Sequence, residues 1–116
     1  MGANSFSRHR RLRNAADYKR VFDAADSRAS HKHLLLLGRY NHQPQCRLGL
    51  VIAKKHVKLA ARRNRIKRVT REFFRCCPAI ENNLDVIMLA RQGVDQLDNA
   101  TLSSILRQQW QKLTAP

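Results

Sequence analysis

The segment 59-LAARRNRIKRVTREFFRC-76 restricts the fold more than any other part of the chain. Wound as an α-helix at about 100° per residue, it gathers Leu59, Ile66, Val69, Thr70 and Phe73 on one side. Asn64, Lys67, Arg68, Arg71 and Arg75 fall on the opposite side, with Arg63 and Arg65 on the two flanks. Such a helix needs an apolar layer to lie on, and it must leave its other face uncovered. Pro78 lies just beyond and closes it.

The uncovered face is not that of an ordinary solvated helix, which mixes signs because like charges one turn apart repel. With Lys54, Lys55 and Lys58 included, residues 54–75 hold ten basic residues and one acid, Glu72. The whole chain is similarly unbalanced, with 23 basic and 8 acidic residues and a net charge of +15. Self-repulsion of that size is relieved by a polyanion. Charge pattern favours phosphate binding, with a solvated face and a membrane-surface or protein-docking helix as the alternatives. Guanidinium groups offer a planar fork for bidentate phosphate contacts and can stack on bases, which suits folded RNA. Asn64 adds a donor and an acceptor that could reach sugar or base edges.

A membrane is the weaker partner. The longest uninterrupted apolar run is 34-LLLL-37, far below the roughly 20 residues of a spanning helix. The basic N-terminus has no apolar stretch of the signal-peptide kind, and Phe6 stands where a myristoylation motif needs Ser or Thr. These features lead us to expect a soluble, intracellular chain. Three cysteines, Cys46, Cys76 and Cys77, do not make a disulfide framework, and the His and Cys spacings do not suit zinc. Reduced thiols and no protein-bound metal are expected. His31, His33 and His56 read as surface residues that become cations at lower pH.

The remaining segments suggest one domain over 1–116, with 1–13 as a basic arm. Residues 14–25 read as a short helix capped by Asn14, with Ala15, Tyr18, Val21, Phe22 and Ala25 on one face. The stretches 33-HLLLLGRY-40 and 47-RLGLVIAKK-55 read as strands, and the sequence predicts that they form an antiparallel pair across a loop containing Pro44. A short edge strand at 27–31, a strand at 84–91 and a final helix from its cap Asp98 to about Leu113 complete the chain. Leu102, Ile105, Leu106, Trp110 and Leu113 form that last helix's apolar side. Helices and strands alternate irregularly, as in a mixed sheet with helices packed on it.

Taken together, 49-GLVIAKKHVKLAARRNRIKRVTREFFR-75 resembles the protein component of bacterial ribonuclease P. The hallmark is a Lys-Lys pair ending a strand, a spacer, then Arg-Asn-Arg-x-x-Lys-Arg in a helix. The seven-residue spacer between Lys55 and Arg63 is similar to the gammaproteobacterial form. The likeness extends to 12-LRNAADYKRVF-22, 34-LLLLGRY-40 and 85-DVIMLARQGVDQLDNATL-102, nearly the whole chain.

The resemblance implies an α+β, single-domain α-β-β-β-α-β-α sandwich with a mixed central sheet and a left-handed β-α-β crossover. This fold is related to domains of a small-subunit ribosomal protein and elongation factor G. It implies a cytoplasmic subunit, one protein per RNA, of an enzyme whose catalytic RNA removes the 5′ leader from precursor tRNA. Magnesium would be held mainly by RNA and substrate phosphates, with no organic cofactor. Carried over by motif, Arg63, Asn64, Arg65, Lys67, Arg68 and Arg71 form the catalytic-RNA surface beside Lys54 and Lys55, and Arg75 shares its outward face. Tyr18, Phe22, Leu35 and Leu37 form the cleft for the single-stranded leader. Leu37 stands where some members carry an aromatic residue, so it offers apolar contact rather than stacking.

Spacing alone makes Tyr18 and Phe22 core residues more readily than a ligand platform. Asp23 and Asp26 are a close acidic pair, better suited to a helix end than to holding metal ions for hydrolysis. Two rival readings stay open: another RNA-binding module on this fold, and a nuclease acting without RNA.

Overall fold

The computed structural model describes residues 10–42, 45–76 and 83–115. The elements follow the order α1 (Ala15–Asp23), β1 (Ser27–Ser30), β2 (Leu34–Tyr40), β3 (Arg47–Val51), α2 (Ala60–Cys76), β4 (Leu84–Ala90) and α3 (Asn99–Thr114). Pro44, Cys77, Pro78 and the first nine residues of the arm lie outside the described residues. The four strands make one mixed sheet in the order β1-β2-β4-β3.

That order corrects the expected pairing of β2 with β3. β4 lies between them, antiparallel to β2 from Leu34↔Ala90 to Tyr40↔Leu84 and parallel to β3 from Arg47↔Asp85 to Val51↔Leu89. Burial explains the choice. Six of β4's seven residues are buried, so the strand needs cover on both faces and both edges. β3 holds only two buried residues, Leu48 and Gly49, and suits the flank. A parallel β3–β4 pair requires a long crossover, which α2 supplies. Beyond β3 the arm adds a short parallel bridge, Arg11↔Leu48, with Leu12 N donating to Leu48 O at 2.9 Å. An otherwise bare sheet edge is thereby covered.

Alternation along the strands sorts the sheet into two faces. Leu34 and Leu36 of β2, Leu48 of β3, and Leu84, Val86, Met88 and Ala90 of β4 join Ile66 and Phe74 of α2. Leu102, Leu106, Trp110 and Leu113 of α3 complete that main core. Phe74 meets Trp110 edge-to-face at 5.3 Å. The other face is smaller: Leu35, Leu37 and Ile87 pack with Leu12 and Val21 of the arm and α1.

Two helix faces depart from the expected ones. On α2 the fully buried side chains are Ile66, Thr70 and Phe74, while Leu59 is 58% exposed. Val69 and Phe73 are half-buried on the flank of that stripe. Ile66 and Phe74, eight positions apart, are about two turns from each other; Leu59 precedes the helix and is not constrained by it. On α1 only Asp17 and Val21 are buried; Ala15, Phe22 and Ala25 are exposed. A nine-residue helix with two buried positions meets the sheet along one narrow line. Its cap is as expected, with Asn14 Oδ1 accepting from Asp17 N at 2.9 Å.

Candidate nucleic-acid interface

The basic region begins where β3 ends. Residues 53–58 form a turn in which His56 N and Val57 N both donate to Ala53 O, at 3.0 and 3.1 Å. Arg63 locks it from the helix: its guanidinium donates to Val57 O and Lys58 O, each at 2.9 Å. Lys54 and Lys55 stand exposed on that turn. Arg65 reaches the other way, to Asn99 Oδ1 at 2.8 Å and Asp95 O at 3.2 Å, and ties α2 to the start of α3. Arg62 pairs with Asp95 at 3.3 Å, and Arg75 pairs with Glu72. At the C-terminal end of α2, Arg10 of the arm donates to Phe74 O at 2.9 Å, a carbonyl without an intrahelical partner.

The cations of this region therefore divide. Among the described residues, the ion pairs of α2 are those of Arg62 and Arg75, while Lys54, Lys55, Lys67 and Arg68 have no acid within pairing distance. Exposed Asn64 lies beside them. Arg71 is not on the outer face. It is half-buried at the seam with the arm and α1, where burial first and then the charge of Arg11 push its pKa down. Tyr18 shares that seam and acts in the opposite sense on Arg71.

Tyr18 lies across β3. Its hydroxyl accepts from Leu50 N at 3.2 Å, and its ring covers Gly49 so closely that a Cβ there would sit 2.8 Å from the ring. Gly49 is thus required by close approach. Leu35 and Leu37 belong to the same cluster, with Tyr18 packed against it. Phe22 is 46% exposed and stands outside that cluster. Of the four residues expected in the leader cleft, the fold brings three together on the α1 face of the sheet.

A polar network on this face was not anticipated from the sequence. Arg47 grips Asp85 with two bonds, Nε–Oδ1 at 2.8 Å and Nη2–Oδ2 at 2.6 Å, and lies 4.0 Å from Asp17. Asn41 Nδ2 donates to the same Asp85 Oδ1 at 2.8 Å. The pair with Asp85 is the main reason the Arg47 pKa is raised. Asp85 is the one acid in an otherwise apolar strand and sits opposite Arg47 in register, a signal usable only once β3 and β4 are known to pair.

Two hollows border the basic region. One, of about 690 Å³, runs between α2 and α3, with Val69, Phe73 and Trp110 among its walls beside Arg68 and Arg107. The other, of about 500 Å³, lies among Lys55, His56, Lys58, Arg62, Gln92 and Gly93. Among the described residues no group of three or more His, Cys, Asp or Glu side chains is placed to hold a metal ion. No described helix is long and apolar enough to cross a membrane.

Comparison with known proteins agrees with the motif. The family model described as Ribonuclease P matches residues 6–114. The chain is 42% identical over 113 residues to the ribonuclease P protein component of Marinobacter nauticus, covering 97% of this chain and 85% of that protein. It is 44% identical over 109 residues to that of Acinetobacter baylyi, covering 94% and 83%. Among solved structures, the fold is similar to RNase P protein from Staphylococcus aureus, with a TM-score of 0.80 at 24% identity over 88% of this chain and 93% of that one. It is also similar to that from Thermotoga maritima, with a TM-score of 0.71 at 27% identity over 85% and 94%.

Proposed function

The chain belongs to the ribonuclease P protein family, components of an endoribonuclease that processes tRNA in association with an RNA subunit, and on that premise we propose how its surfaces divide the work. Lys54, Lys55, Lys67 and Arg68, with Asn64 between them, bind phosphates and sugar edges of the catalytic RNA. Arg63, Arg65 and Arg75 lie within the same surface, and their first task is to hold the turn and helix that present it. The seam of Tyr18, Arg71, Leu35 and Leu37 takes the single-stranded leader of precursor tRNA, with Phe22 on its outer border. A half-buried Tyr ring held by its hydroxyl is a fixed platform for an unpaired base, worth about 1–3 kcal/mol. Arg71 and Arg11 beside it supply charge for the adjoining phosphate.

Catalysis in this reading belongs to the RNA. Magnesium, held by RNA and substrate phosphates, supplies charge stabilisation and an activated water. The polypeptide orients the leader and neutralises phosphate repulsion where the two RNAs approach. One protein serves each RNA, in the cytoplasm.

The observation that carries this reading is the cluster of cations left without acidic partners in a chain of net charge +15. The test adds the purified chain to a bacterial ribonuclease P RNA and precursor tRNA at low magnesium. Stimulated leader removal is expected. RNA binding without stimulation would support another RNA-binding role on this fold, and cleavage by protein alone would make it a nuclease in its own right.

A further inference from the structure

A second group of cations gathers at the same end of the sheet, around the β1–β2 turn at His31, Lys32 and His33. His31 N donates to Leu34 O at 2.8 Å, and His33 N donates to Nδ1 of the His31 ring at 3.0 Å. The two rings lie 5.7 Å apart. Arg91, just past β4, clamps the turn by donating to Ser30 Oγ at 2.9 Å and His31 O at 2.7 Å. Lys112, from the last turn of α3, also acts on His31. Three separate parts of the chain therefore bring basic side chains to one place.

Among the described residues no carboxylate relieves them. His31 is held below its ordinary pKa by burial first, then by His33, Lys112, Arg91 and Lys32. All of these are cations or the second imidazole. A metal ion is a poor occupant for two histidines so surrounded, because Lys32, Arg91 and Lys112 repel it and no described acid neutralises it. An anion suits the same place.

The ring nitrogens fix how an anion would be met. His31 Nδ1 accepts the His33 amide, so its proton sits on Nε2 and the neutral ring is already a donor. His33 Nδ1 lies 3.1 Å from Gln92 O, a carbonyl that can only accept, which places the His33 proton on Nδ1. Its Nε2 is left as an acceptor. The Gln92–Gly93 turn beneath it also walls the hollow shared with Lys55, His56, Lys58 and Arg62. Gly93 has φ +91, and a Cβ there would come within 2.8 Å of His33 Cε1, so no side chain separates the two groups.

We propose that the RNA-binding surface continues from Lys55 across the Gln92–Gly93 turn to His31, Lys32, His33, Arg91 and Lys112, and that this second patch binds backbone phosphates of the RNA subunit. The inference rests on the RNA-binding reading given above and adds a contact that the Lys-Lys and Arg-Asn-Arg motifs do not contain. The His31 Nε2–H donates to a phosphate oxygen, and the Lys32, Arg91 and Lys112 side chains supply the opposing charge.

The test measures binding of the full chain to a bacterial ribonuclease P RNA over a range of salt concentrations at one pH. Lys32→Ala with Lys112→Ala, both surface changes, should reduce the slope of log affinity against log salt by about one to two. An unchanged salt slope in the lysine pair overturns the second patch while leaving RNA binding intact. Absence of RNA binding by the unsubstituted chain overturns the broader reading as well.

Discussion

Arg63 and Arg68 are the same residue type on the same helix, five positions apart, yet the fold uses them differently. Arg63 closes the 53–58 turn through Val57 O and Lys58 O, and so fixes where Lys54 and Lys55 stand. Arg68 has no acid within pairing distance among the described residues and lines the hollow between α2 and α3. One arginine builds the surface and the other is part of it. A basic tract is thus two populations, separable by two measurements: folding stability, and the salt dependence of RNA binding.

The largest effect should come from the second population taken together. Replacing Lys54, Lys55, Lys67 and Arg68 with Ala removes up to four phosphate contacts. Affinity for ribonuclease P RNA at near-physiological salt should fall by about 10²–10³-fold, with a salt slope shallower by about three to four. Thermal unfolding should shift little, because no described ion pair is lost. An unchanged slope would remove these residues from the interface.

Arg63→Ala should behave in the opposite way. Two charge-assisted bonds to backbone carbonyls disappear, and stability should drop by about 1.5–3 kcal/mol in denaturant unfolding. Its salt slope should change less than that of Arg68→Ala. If the two variants change slope equally and stability equally, the division is wrong.

Much of this architecture is legible from residues alone, and the limits have physical causes. The Asn14 and Asp98 caps are visible because a cap is a local event, a side chain bonding a backbone amide three positions on. The central place of β4 is not local. A strand buried on both faces has no alternation to betray its neighbours, so 84-LDVIMLA-90 shows that it is buried without showing between which strands. The Arg47–Asp85 pair was hidden for the same reason, since it follows from the β3–β4 register. Exposure of Phe22 reflects how little of a nine-residue helix touches the sheet. On α2, winding separates the two faces correctly in outline, but it cannot tell that Arg63 and Arg65 have partners elsewhere in the fold.

Tyr18 carries the same contrast to the α1 face, with a smaller expected effect. Its hydroxyl serves the fold and its ring, on the reading above, serves the leader. Tyr18→Phe leaves Leu50 N without that acceptor and should cost about 1 kcal/mol of stability, with little change in affinity for precursor tRNA. Tyr18→Ala should weaken binding of precursor tRNA more than of mature tRNA, as measured on the assembled ribonucleoprotein. Equal losses for the two RNAs would assign the ring to structure alone.

The smallest effect concerns Arg65, which stands with Arg63 in the structural population. Asp98 caps α3 by accepting from Thr101 N at 2.7 Å, and that bond above all holds its carboxyl below the usual range; the charge of Arg65 adds a minor pull in the same direction. A carboxyl whose pKa is lower in the folded chain contributes stability above its unfolded value, near 4 for Asp, and loses it as pH falls through the folded value. The cap should therefore hold throughout the neutral range and weaken only in acid below pH 4. Arg65→Ala should raise the Asp98 titration point slightly, as followed by carboxyl NMR, while Arg68→Ala should leave it in place. An equal shift from both variants would mean that Arg68 also senses the start of α3, and that the two arginines differ in degree rather than in kind.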